Sequence, residues 1–329
     1  MNSEELQNDI KQNVVEINDF IASNMTISVP HLKEACYHLF GAGGKRVRPY
    51  IMRKAYEIFL PKDSKIVPIA SAVEILHTFT LIHDDIMDQD AFRRGIPTVH
   101  VKWGKNVAIL AGDVLHALVF SIIGESSLKP TIKAQLITDF SKSIIKICEG
   151  QAMDIQFESE PSVSVNQYIN MVKLKTGELL SLAAKTGGIV ANANPQIISS
   201  LGEFGVNYGI AFQMRDDILG MTADESEFGK PVGSDLRQGK KTFLTLYALE
   251  NLTKTLATEL VNLMTNRSTS PTDLSRGIAL IKESGAIEAA EAKTEHYSQL
   301  ALQNLSQLPQ SSGREHLEKL VEFSLKREC

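Results

Sequence analysis

Apolar residues recur at every third or fourth position along several long stretches of this chain, and this spacing constrains its fold more than any other feature. The pattern is clearest over residues 65–88, 132–157 and 165–185. It is typical of helices that bury one face, whereas the alternating pattern of β-strands is almost absent. We therefore predict an all-α fold of roughly ten or more helices, in one domain that spans residues 1–329.

Prolines indicate where some of these helices begin. Pro49 opens the apolar run 50–60, as proline does at the first position of a helix. Pro195 and Pro271 each follow a helix-capping residue. In contrast, residues 222–241 (TADESEFGKPVGSDLRQGKK) contain three glycines, a proline and many charges. We predict a long flexible loop there, of the kind that often serves function.

Overall charge and cysteine content argue against several classes of protein. The formal net charge of -5 and the pI near 5.9 provide no basic field that would attract nucleic acid. The three cysteines are widely spaced, which predicts reduced thiols rather than a disulfide framework. The N-terminal residues MNSEELQNDI are polar and acidic and resemble neither a signal peptide nor a transit peptide. We therefore expect a cytoplasmic protein.

One apolar stretch, residues 106–124 (NVAILAGDVLHALVFSIIG), approaches the length of a transmembrane helix. Asp113 and His116 lie in its middle, and a charge at that depth would be costly in lipid. A helix that is apolar on all sides also occurs at the centre of large helical proteins. We favour a buried helix and predict no transmembrane segment.

The first acidic cluster lies in LIHDDIMDQDAFRRG, residues 81–95. Asp84 and Asp88 are four residues apart at the end of an apolar helix, so they share one helix face. Like charges at this spacing repel each other and destabilise the helix. A hard divalent cation relieves the repulsion, because Mg²⁺ prefers carboxylate oxygens, phosphate oxygens and water. The alternative is a solvated acidic helix end.

A second acidic cluster lies in FQMRDDILG, residues 212–220. Asp216 and Asp217 follow another apolar helical run, residues 204–212. If the two helices face each other, their carboxylates could bind one diphosphate through bridging Mg²⁺ ions. A solvated helix end explains either cluster alone, but it explains two such clusters on apolar helices poorly.

Basic residues form two further groups, one in residues 41–49 and one that follows the first acidic cluster. The segment GAGGKRVRP places three glycines ahead of Lys45, Arg46 and Arg48. Glycine lets backbone N–H groups approach an anion closely, and Arg and Lys add charge and hydrogen bonds to phosphate. Arg93 and Arg94 are adjacent, so one could reach each of two neighbouring diphosphates. The alternative for each group is a solvated basic surface.

Other candidate ligands are weaker when taken singly. His77 lies seven residues before Asp84, about two helical turns back on the same face; it is either a diphosphate contact or a core histidine. Lys175 lies in a predicted helix, and Lys230 and Lys240 lie in the predicted loop. Together with the acidic clusters, these residues suggest a pocket for two diphosphates.

In combination, these segments resemble the trans-isoprenyl diphosphate synthase family, the polyprenyl synthetases. GGKRVRP, HTFTLIHDDIMD, RRG, GQAMD, KT, FQMRDD and GKPVGSDLRQGKKT follow one another in the family's order and spacing, over residues 41–242. The motifs are most similar to those of archaeal geranylgeranyl diphosphate synthases. The resemblance implies a helical fold around a central cavity, and usually a homodimer.

The resemblance also implies substrates, a cofactor and site residues. The substrates would be isopentenyl diphosphate and an allylic diphosphate, joined with the help of roughly two or three Mg²⁺ ions per site. The isopentenyl diphosphate would be held by Lys45, Arg48, His77 and Arg94. The allylic diphosphate would be held by Arg93, Lys175, Thr176, Gln213, Lys230 and Lys240.

The implied catalytic residues are Asp84, Asp85, Asp88, Arg93, Lys175 and Asp216. The implied metal ligands are Asp84, Asp88, Asp216 and Asp217, with Asp85 as a further ligand or a residue behind the ligands. The chain departs from the family at one position, because Gly220 stands where the second cluster usually has a third aspartate. We expect activity to survive this change, since the first two aspartates supply most of the coordination.

Product length is expected to depend on the helix before Asp84, along which the growing tail would run. Phe79 is bulky and lies five residues before Asp84, and its neighbour Thr80 is small. The resemblance ties this pair, without an insertion between Asp85 and Asp88, to a geranylgeranyl product. The alternative is that Phe79 is a core residue. A farnesyl or longer product stays open.

Two other functions are compatible with a helical fold that carries DDxxD. A class I terpene cyclase would have a second metal site of Asn/Asp, Ser/Thr and Glu and would not need GGKRVRP, because it binds one diphosphate. A non-catalytic subunit of a heteromeric synthase would have lost its aspartates, which are intact here. Both alternatives therefore rank below a prenyltransferase.

Overall fold

Helices make up nearly all of the regular structure in the described residues of the computed structural model, 3–222, 233–265 and 270–325. The first helices are α1 (Ser3–Asn24), α2 (Pro30–Gly41), α3 (Val47–Glu57), α4 (Val67–Met87), α5 (Val99–Trp103), α6 (Lys105–Glu125) and α7 (Pro130–Ser159). They are followed by α8 (Val165–Val172), α9 (Glu178–Val190), α10 (Pro195–Thr222), α11 (Ser234–Arg237), α12 (Phe243–Asn251), α13 (Lys254–Thr265), α14 (Pro271–Glu283), α15 (Ala286–Ser306) and α16 (Ser312–Leu325). The predicted all-α class is confirmed.

A short antiparallel hairpin is the only β-structure among the described residues. Its strands are β1 (Phe92–Arg93) and β2 (Ile96–Pro97), and Arg93 is paired with Ile96. The hairpin follows the end of α4 directly and thereby fixes the backbone that carries the two adjacent arginines.

The described residues group into two compact units. Those within 1–141, 182–202 and 305–320 form the first unit, and those within 142–181, 203–304 and 321–329 form the second. The single domain expected for residues 1–329 stays a prediction.

Helix α4 is central to the first unit, where it packs against α1, α3 and α6. Its buried side chains include Ile69, Val73 and Leu76. On α6 the buried residues Ala108 and Ala111 are small, so the two helices approach closely. Full burial of each large aliphatic side chain stabilises the fold by about 1.5–3 kcal/mol. This packing makes α4 rigid, and α4 ends at the first acidic cluster.

The second unit has its own apolar core. Helix α8 packs against α12, and α13 packs against α14. Side chains at the centre of this core include Tyr168, Met214, Leu244, Leu260 and Leu280, all buried. Helix α10 thus contributes an apolar face to this core and carries the second acidic cluster at its C-terminal end.

The helix starts predicted at Pro195 and Pro271 are confirmed, whereas the start predicted at Pro49 is wrong by two residues, because α3 begins at Val47 behind the left-handed Arg46. Helix α14 begins at Pro271 behind a capping box, in which the Ser270 and Asp273 side chains cap each other's backbone N–H groups. Helix α10 begins at Pro195. The loop predicted for 222–241 is wrong over α11, where Leu236 is buried, because this apolar side chain docks the segment onto the core. Residues 223–232 lie outside the described residues.

The prediction of a buried helix over 106–124 is confirmed for one face of α6 and wrong for the other. Ile109 and Leu110 are 39% and 53% exposed. Asp113 also lies on the exposed side, where water solvates its charge. Residues 64–87 and α6 are long and apolar enough to cross a membrane, but buried core helices pass the same test. The absence of a transmembrane segment stays a prediction.

Two glycines bring backbones into contact within the second unit. A Cβ atom added to Gly209 on α10 would lie 2.6 Å from the Cα atom of Gly177. Only a residue without a side chain fits at this distance. The contact sets the spacing between α10 and the segment 173–177.

We predict that Gly209→Ala lowers the free energy of unfolding by about 1–3 kcal/mol, because the added methyl group meets backbone atoms that cannot move aside. Urea denaturation measures the change. Gly124→Ala is the matched control, since nothing lies within 4 Å of that position on α6; it should be neutral or gain up to about 1 kcal/mol from helix propensity. Equal stability of the two variants would contradict the prediction.

Candidate active site

The first acidic cluster forms the C-terminal end of α4. Asp84 and Asp88 are both half-buried, and the Asp88 N–H donates to the Asp84 carbonyl at 2.8 Å. This last helical turn therefore holds the two residues on one face, as their spacing predicts. Both carboxylates retain access to solvent and to small ligands.

Asp85 has a different environment from its neighbour Asp84. It is fully buried, and Arg93 Nε donates to its Oδ1 atom at 2.5 Å. Its Oδ2 atom is buried without a hydrogen-bond partner among the described residues. Burial raises the pKa of Asp85 to about 6, although the Arg93 guanidinium opposes this rise. Asp85 thus orients Arg93, whereas Asp84 and Asp88 stay partly exposed.

Arg94 links the β-hairpin to the loop after α2. Its backbone is left-handed, with φ of 52°, and this turns its side chain toward that loop. Arg94 Nη1 donates to the Leu39 carbonyl at 3.2 Å and to the Gly43 carbonyl. The tertiary structure thereby joins RRG to GGKRVRP, two motifs that are about 50 residues apart in the chain.

His77 is influenced by arginines from two segments, GGKRVRP and the β-hairpin. Desolvation lowers the pKa of its imidazole well below the ordinary value, and the positive charges of Arg48, Arg94 and Arg93 lower it further. The ring is therefore neutral at pH 7 and can donate one N–H. Lys45 is exposed in the adjoining loop, and Arg48 is half-buried at the start of α3. The four residues implied for isopentenyl diphosphate therefore all lie in the first unit.

The second acidic cluster resembles the first, because one aspartate is accessible and its neighbour is buried. On α10, Asp216 is half-buried, whereas Asp217 is buried. Tyr168 Oη donates to Asp217 Oδ2 at 2.6 Å, and Gln213 Nε2 donates to Oδ1 at 2.9 Å. Burial and the Asp235 charge raise the pKa of Asp217 to about 7, against the effect of these hydrogen bonds. Asp217 holds its neighbours in place, and Asp216 stays accessible.

The KT motif lies in an irregular turn that periodicity does not reveal. Residues Lys173–Gly177 form a π-helical turn between α8 and α9, where the sequence predicts one continuous helix. Such turns occur often at functional sites. Within it, Thr176 Oγ1 donates to Gln213 Oε1 at 3.2 Å, so the structure joins two of the residues implied for the allylic diphosphate.

Lys175 has a partner that the sequence analysis did not assign. Its ammonium group donates to Asp154 Oδ2 at 2.5 Å. Asp154 ends the GQAMD motif, which is the signal that could have identified it. Tyr168, by contrast, has no signal in the sequence. Lys240 is half-buried just after α11. Lys230 lies outside the described residues.

The residues implied for product length lie on α4, where Phe79 contacts α6. The Phe79 ring is half-buried and lies 4.9 Å from the His83 ring and 5.2 Å from the His116 ring, centroid to centroid. Thr80 Oγ1 donates to the His77 carbonyl at 2.8 Å. Phe79 therefore belongs to an aromatic cluster whose two histidines the sequence analysis did not assign to this role.

The carboxylates fit a hard divalent cation. Asp84 and Asp88 offer two accessible oxygen donors on one helical turn, and Asp216 offers another in the second unit. No three His, Cys, Asp or Glu side chains converge on a metal position in the part of the chain that is described. Mg²⁺ is usually bound through one or two carboxylates together with substrate phosphates and water.

Comparison with known proteins identifies the family. The family model described as Polyprenyl synthetase matches residues 29–281. The chain is 42% identical to a geranylgeranyl diphosphate synthase of Saccharolobus solfataricus, over 99% of both chains. It is also 42% identical to a geranylfarnesyl diphosphate synthase of Aeropyrum pernix, over 94% of this chain and 99% of that protein.

A solved structure agrees with this assignment. The polyprenyl synthase from Caulobacter crescentus CB15, complexed with calcium and isoprenyl diphosphate, is similar with a TM-score of 0.91 and 28% identity. The similarity covers 99% of this chain and 98% of that one. The predicted fold class and the resemblance are thereby confirmed: this chain belongs to the polyprenyl synthetase family.

Proposed function

We propose that this protein is a prenyltransferase that condenses isopentenyl diphosphate with allylic diphosphates, and that its main product is geranylgeranyl diphosphate. One observation carries the proposal: the chain has two separate sets of diphosphate-binding groups. The basic cluster around His77 forms one set, and the residues of the π turn with Gln213 form the other. An enzyme with a single diphosphate substrate needs only one.

The first set suits isopentenyl diphosphate. Lys45 and Arg48 supply charge, and the exposed side chain of Lys45 can close on a ligand. Neutral His77 can donate a hydrogen bond without adding charge to an already positive cluster. Arg94 is held by two backbone carbonyls and presents its remaining N–H groups in a fixed orientation. The cluster therefore binds and orients this substrate and performs no chemistry on it.

The second substrate uses a different combination of charge and hydrogen bonding. For the allylic diphosphate we propose Arg93, Lys175, Thr176, Gln213, Lys230 and Lys240. Asp84, Asp88 and Asp216 are the proposed direct ligands of Mg²⁺, roughly two or three ions per site. Asp85 and Asp217 are already hydrogen-bonded and buried, which favours a supporting role for both. Bound cations would neutralise negative charge that develops on the departing diphosphate.

The protein's own contribution to the reaction is orientation and exclusion of water. The allylic C–O bond breaks, the isopentenyl double bond attacks the allylic carbon, and a proton leaves the new carbon chain. Arg93 and Lys175 hold the leaving diphosphate by charge-assisted hydrogen bonds. The diphosphate itself accepts the proton in this proposal. An apolar, water-poor site protects the allylic cation from hydrolysis.

Two observations favour this function over the alternatives. A class I terpene cyclase would lack the basic cluster around His77, and its second metal site would not read Asp216-Asp217-Ile-Leu-Gly220. A non-catalytic synthase subunit would lack accessible aspartates, but Asp84 and Asp216 are both accessible.

Incubation of the protein with Mg²⁺, isopentenyl diphosphate and dimethylallyl, geranyl or farnesyl diphosphate tests the proposal. Chain-length analysis of the products should show geranylgeranyl diphosphate as the main species. Turnover of an allylic diphosphate to a hydrocarbon, without use of isopentenyl diphosphate, would establish the cyclase instead. No reaction with any of the three starters would overturn the proposal.

We predict that Asp84→Ala lowers kcat by about 10³-fold, because the departing diphosphate loses charge stabilisation that acts mainly in the transition state. Steady-state kinetics measures the change, and the far-ultraviolet circular dichroism spectrum should match that of the wild type. Asp19→Ala, at an exposed aspartate on α1, is the control and should keep full activity. Full activity of Asp84→Ala would refute the metal assignment.

We predict that Phe79→Ala shifts the products to chains longer than geranylgeranyl, because the shorter side chain removes a barrier beside the growing tail. Chromatography of the dephosphorylated products measures their length. Phe20→Ala, at a half-buried phenylalanine on α1, should leave the product unchanged. If Phe79→Ala also leaves it unchanged, Phe79 is a core residue only.

We also propose that the enzyme is a homodimer and that the exposed apolar side chains of α6 lie in its interface. Such residues are costly in water when they lie side by side. Leu110→Glu should convert the dimer to a monomer, as measured by size-exclusion chromatography with light scattering. Val15→Glu, which changes a similarly exposed residue on α1, should remain dimeric. A dimeric Leu110→Glu variant would exclude this face from the interface.

A further inference from the structure

Arg46 differs from the other basic residues of GGKRVRP because its side chain lies in the interior. The guanidinium is fully buried, whereas Lys45 is exposed and Arg48 is half-buried. Its backbone is left-handed, with φ of 47°, a conformation that non-glycine residues seldom adopt. This conformation turns Arg46 inward between its two outward neighbours. Arg46 is therefore unable to touch a diphosphate bound by them.

The buried guanidinium connects three segments of the first unit. Nη1 donates to Glu74 Oε1 on α4 at 3.0 Å, and Nε donates to Asn18 Oδ1 on α1 at 3.0 Å. Nη2 and Nη1 also donate to the carbonyls of Phe40 and Gly43, at 2.9 and 3.2 Å. Arg46 thus ties the backbone after α2 to two core helices.

The same backbone is bound by a residue proposed to contact substrate. The Gly43 carbonyl accepts hydrogen bonds from both Arg46 and Arg94. A Cβ atom added to Gly44 would lie 2.8 Å from Arg46 Nη1 and 2.9 Å from Arg94 Nη1. A shift of this turn would therefore move Arg94 as well as Lys45.

Glu74 links Arg46 to the helix that carries His77, the fourth proposed ligand of isopentenyl diphosphate. It is buried on α4, one helical turn before His77. Its carboxylate supplies a negative charge at the base of a cluster in which four arginines act on His77. A buried ion pair is often no more stabilising than well-packed apolar side chains of similar volume, so its burial is weak evidence for a purely stabilising role.

We propose that Arg46 is a positioning residue of the isopentenyl diphosphate site: bound by Glu74, it fixes the backbone that carries the substrate-binding basic residues and does not touch the substrate. This inference rests on the proposed function. Its consequence is selective, because loss of Arg46 should weaken isopentenyl diphosphate binding and spare the allylic substrate.

Arg53 provides a matched control. It is also a buried arginine of the first unit, and it donates to Glu16 Oε2 at 2.7 Å and to Asn13 Oδ1 at 3.0 Å. Both partners of its guanidinium lie on α1. Asn13 also donates to the Arg46 carbonyl at 3.4 Å, and Arg53→Gln leaves that donor in place. Arg46→Gln and Arg53→Gln each remove a buried guanidinium paired with a glutamate, so both should lower the melting temperature.

Steady-state kinetics at a temperature where both variants are folded tests the proposal. Arg46→Gln should raise KM for isopentenyl diphosphate by about tenfold, with kcat and the allylic KM nearly unchanged. Arg53→Gln should leave both KM values at the wild-type level. An unchanged isopentenyl KM in Arg46→Gln, or an equal rise in Arg53→Gln, would overturn the inference.

A milder variant covers the case in which Arg46→Gln does not fold. Asn18→Ala removes one of the hydrogen bonds to Arg46 and leaves the ion pair intact; it should raise the isopentenyl KM by about threefold. An unchanged value would contradict the inference. An inactive wild-type protein would refute the proposed function instead, so the two failures are distinguishable.

Discussion

Like charges held close together on apolar helices are the constraint on which the rest of this structure depends. Both aspartate pairs follow apolar helical runs, and four arginines act on one histidine. The fold relieves the repulsion because adjacent side chains point in different directions. Asp84 and Asp216 stay accessible, whereas Asp85 and Asp217 turn inward to hydrogen-bonding partners. Among the basic residues, Arg46 also turns inward and forms a buried ion pair with Glu74.

This arrangement explains why the charged residues need rigid support. A helical turn places consecutive residues about 100° apart, so the inward member of each pair is anchored in the core while the outward member faces ligands. Close packing between α4 and α6 in the first unit supplies such support. In the second unit, the contact between Gly209 and Gly177 holds the π turn against α10. Arg94 in the first unit and Gln213 in the second are hydrogen-bonded to neighbouring groups before substrate binds.

Several features were predictable from the sequence, and each has a local cause. Helix periodicity, proline positions and capping residues act over a few residues, so the helices and the starts of α10 and α14 follow from them. The motifs indicated the family, because they occur in this chain in the same order and spacing as in the family. The π turn at 173–177 and the helix α11 were not predictable. Both depend on which side chains meet neighbours from distant parts of the chain.

The sequence by itself determined the all-α class, the family and the residues that carry charge, since these depend on residue type and spacing along one helix. Only the tertiary structure decided which member of each charged pair faces inward. It also assigned Asp154 to Lys175, Tyr168 to Asp217 and Glu74 to Arg46. These partners lie 21 to 49 residues apart, so no local pattern specifies them. They meet because burial of the apolar faces brings their helices together, and a buried charge or hydroxyl must then find a partner.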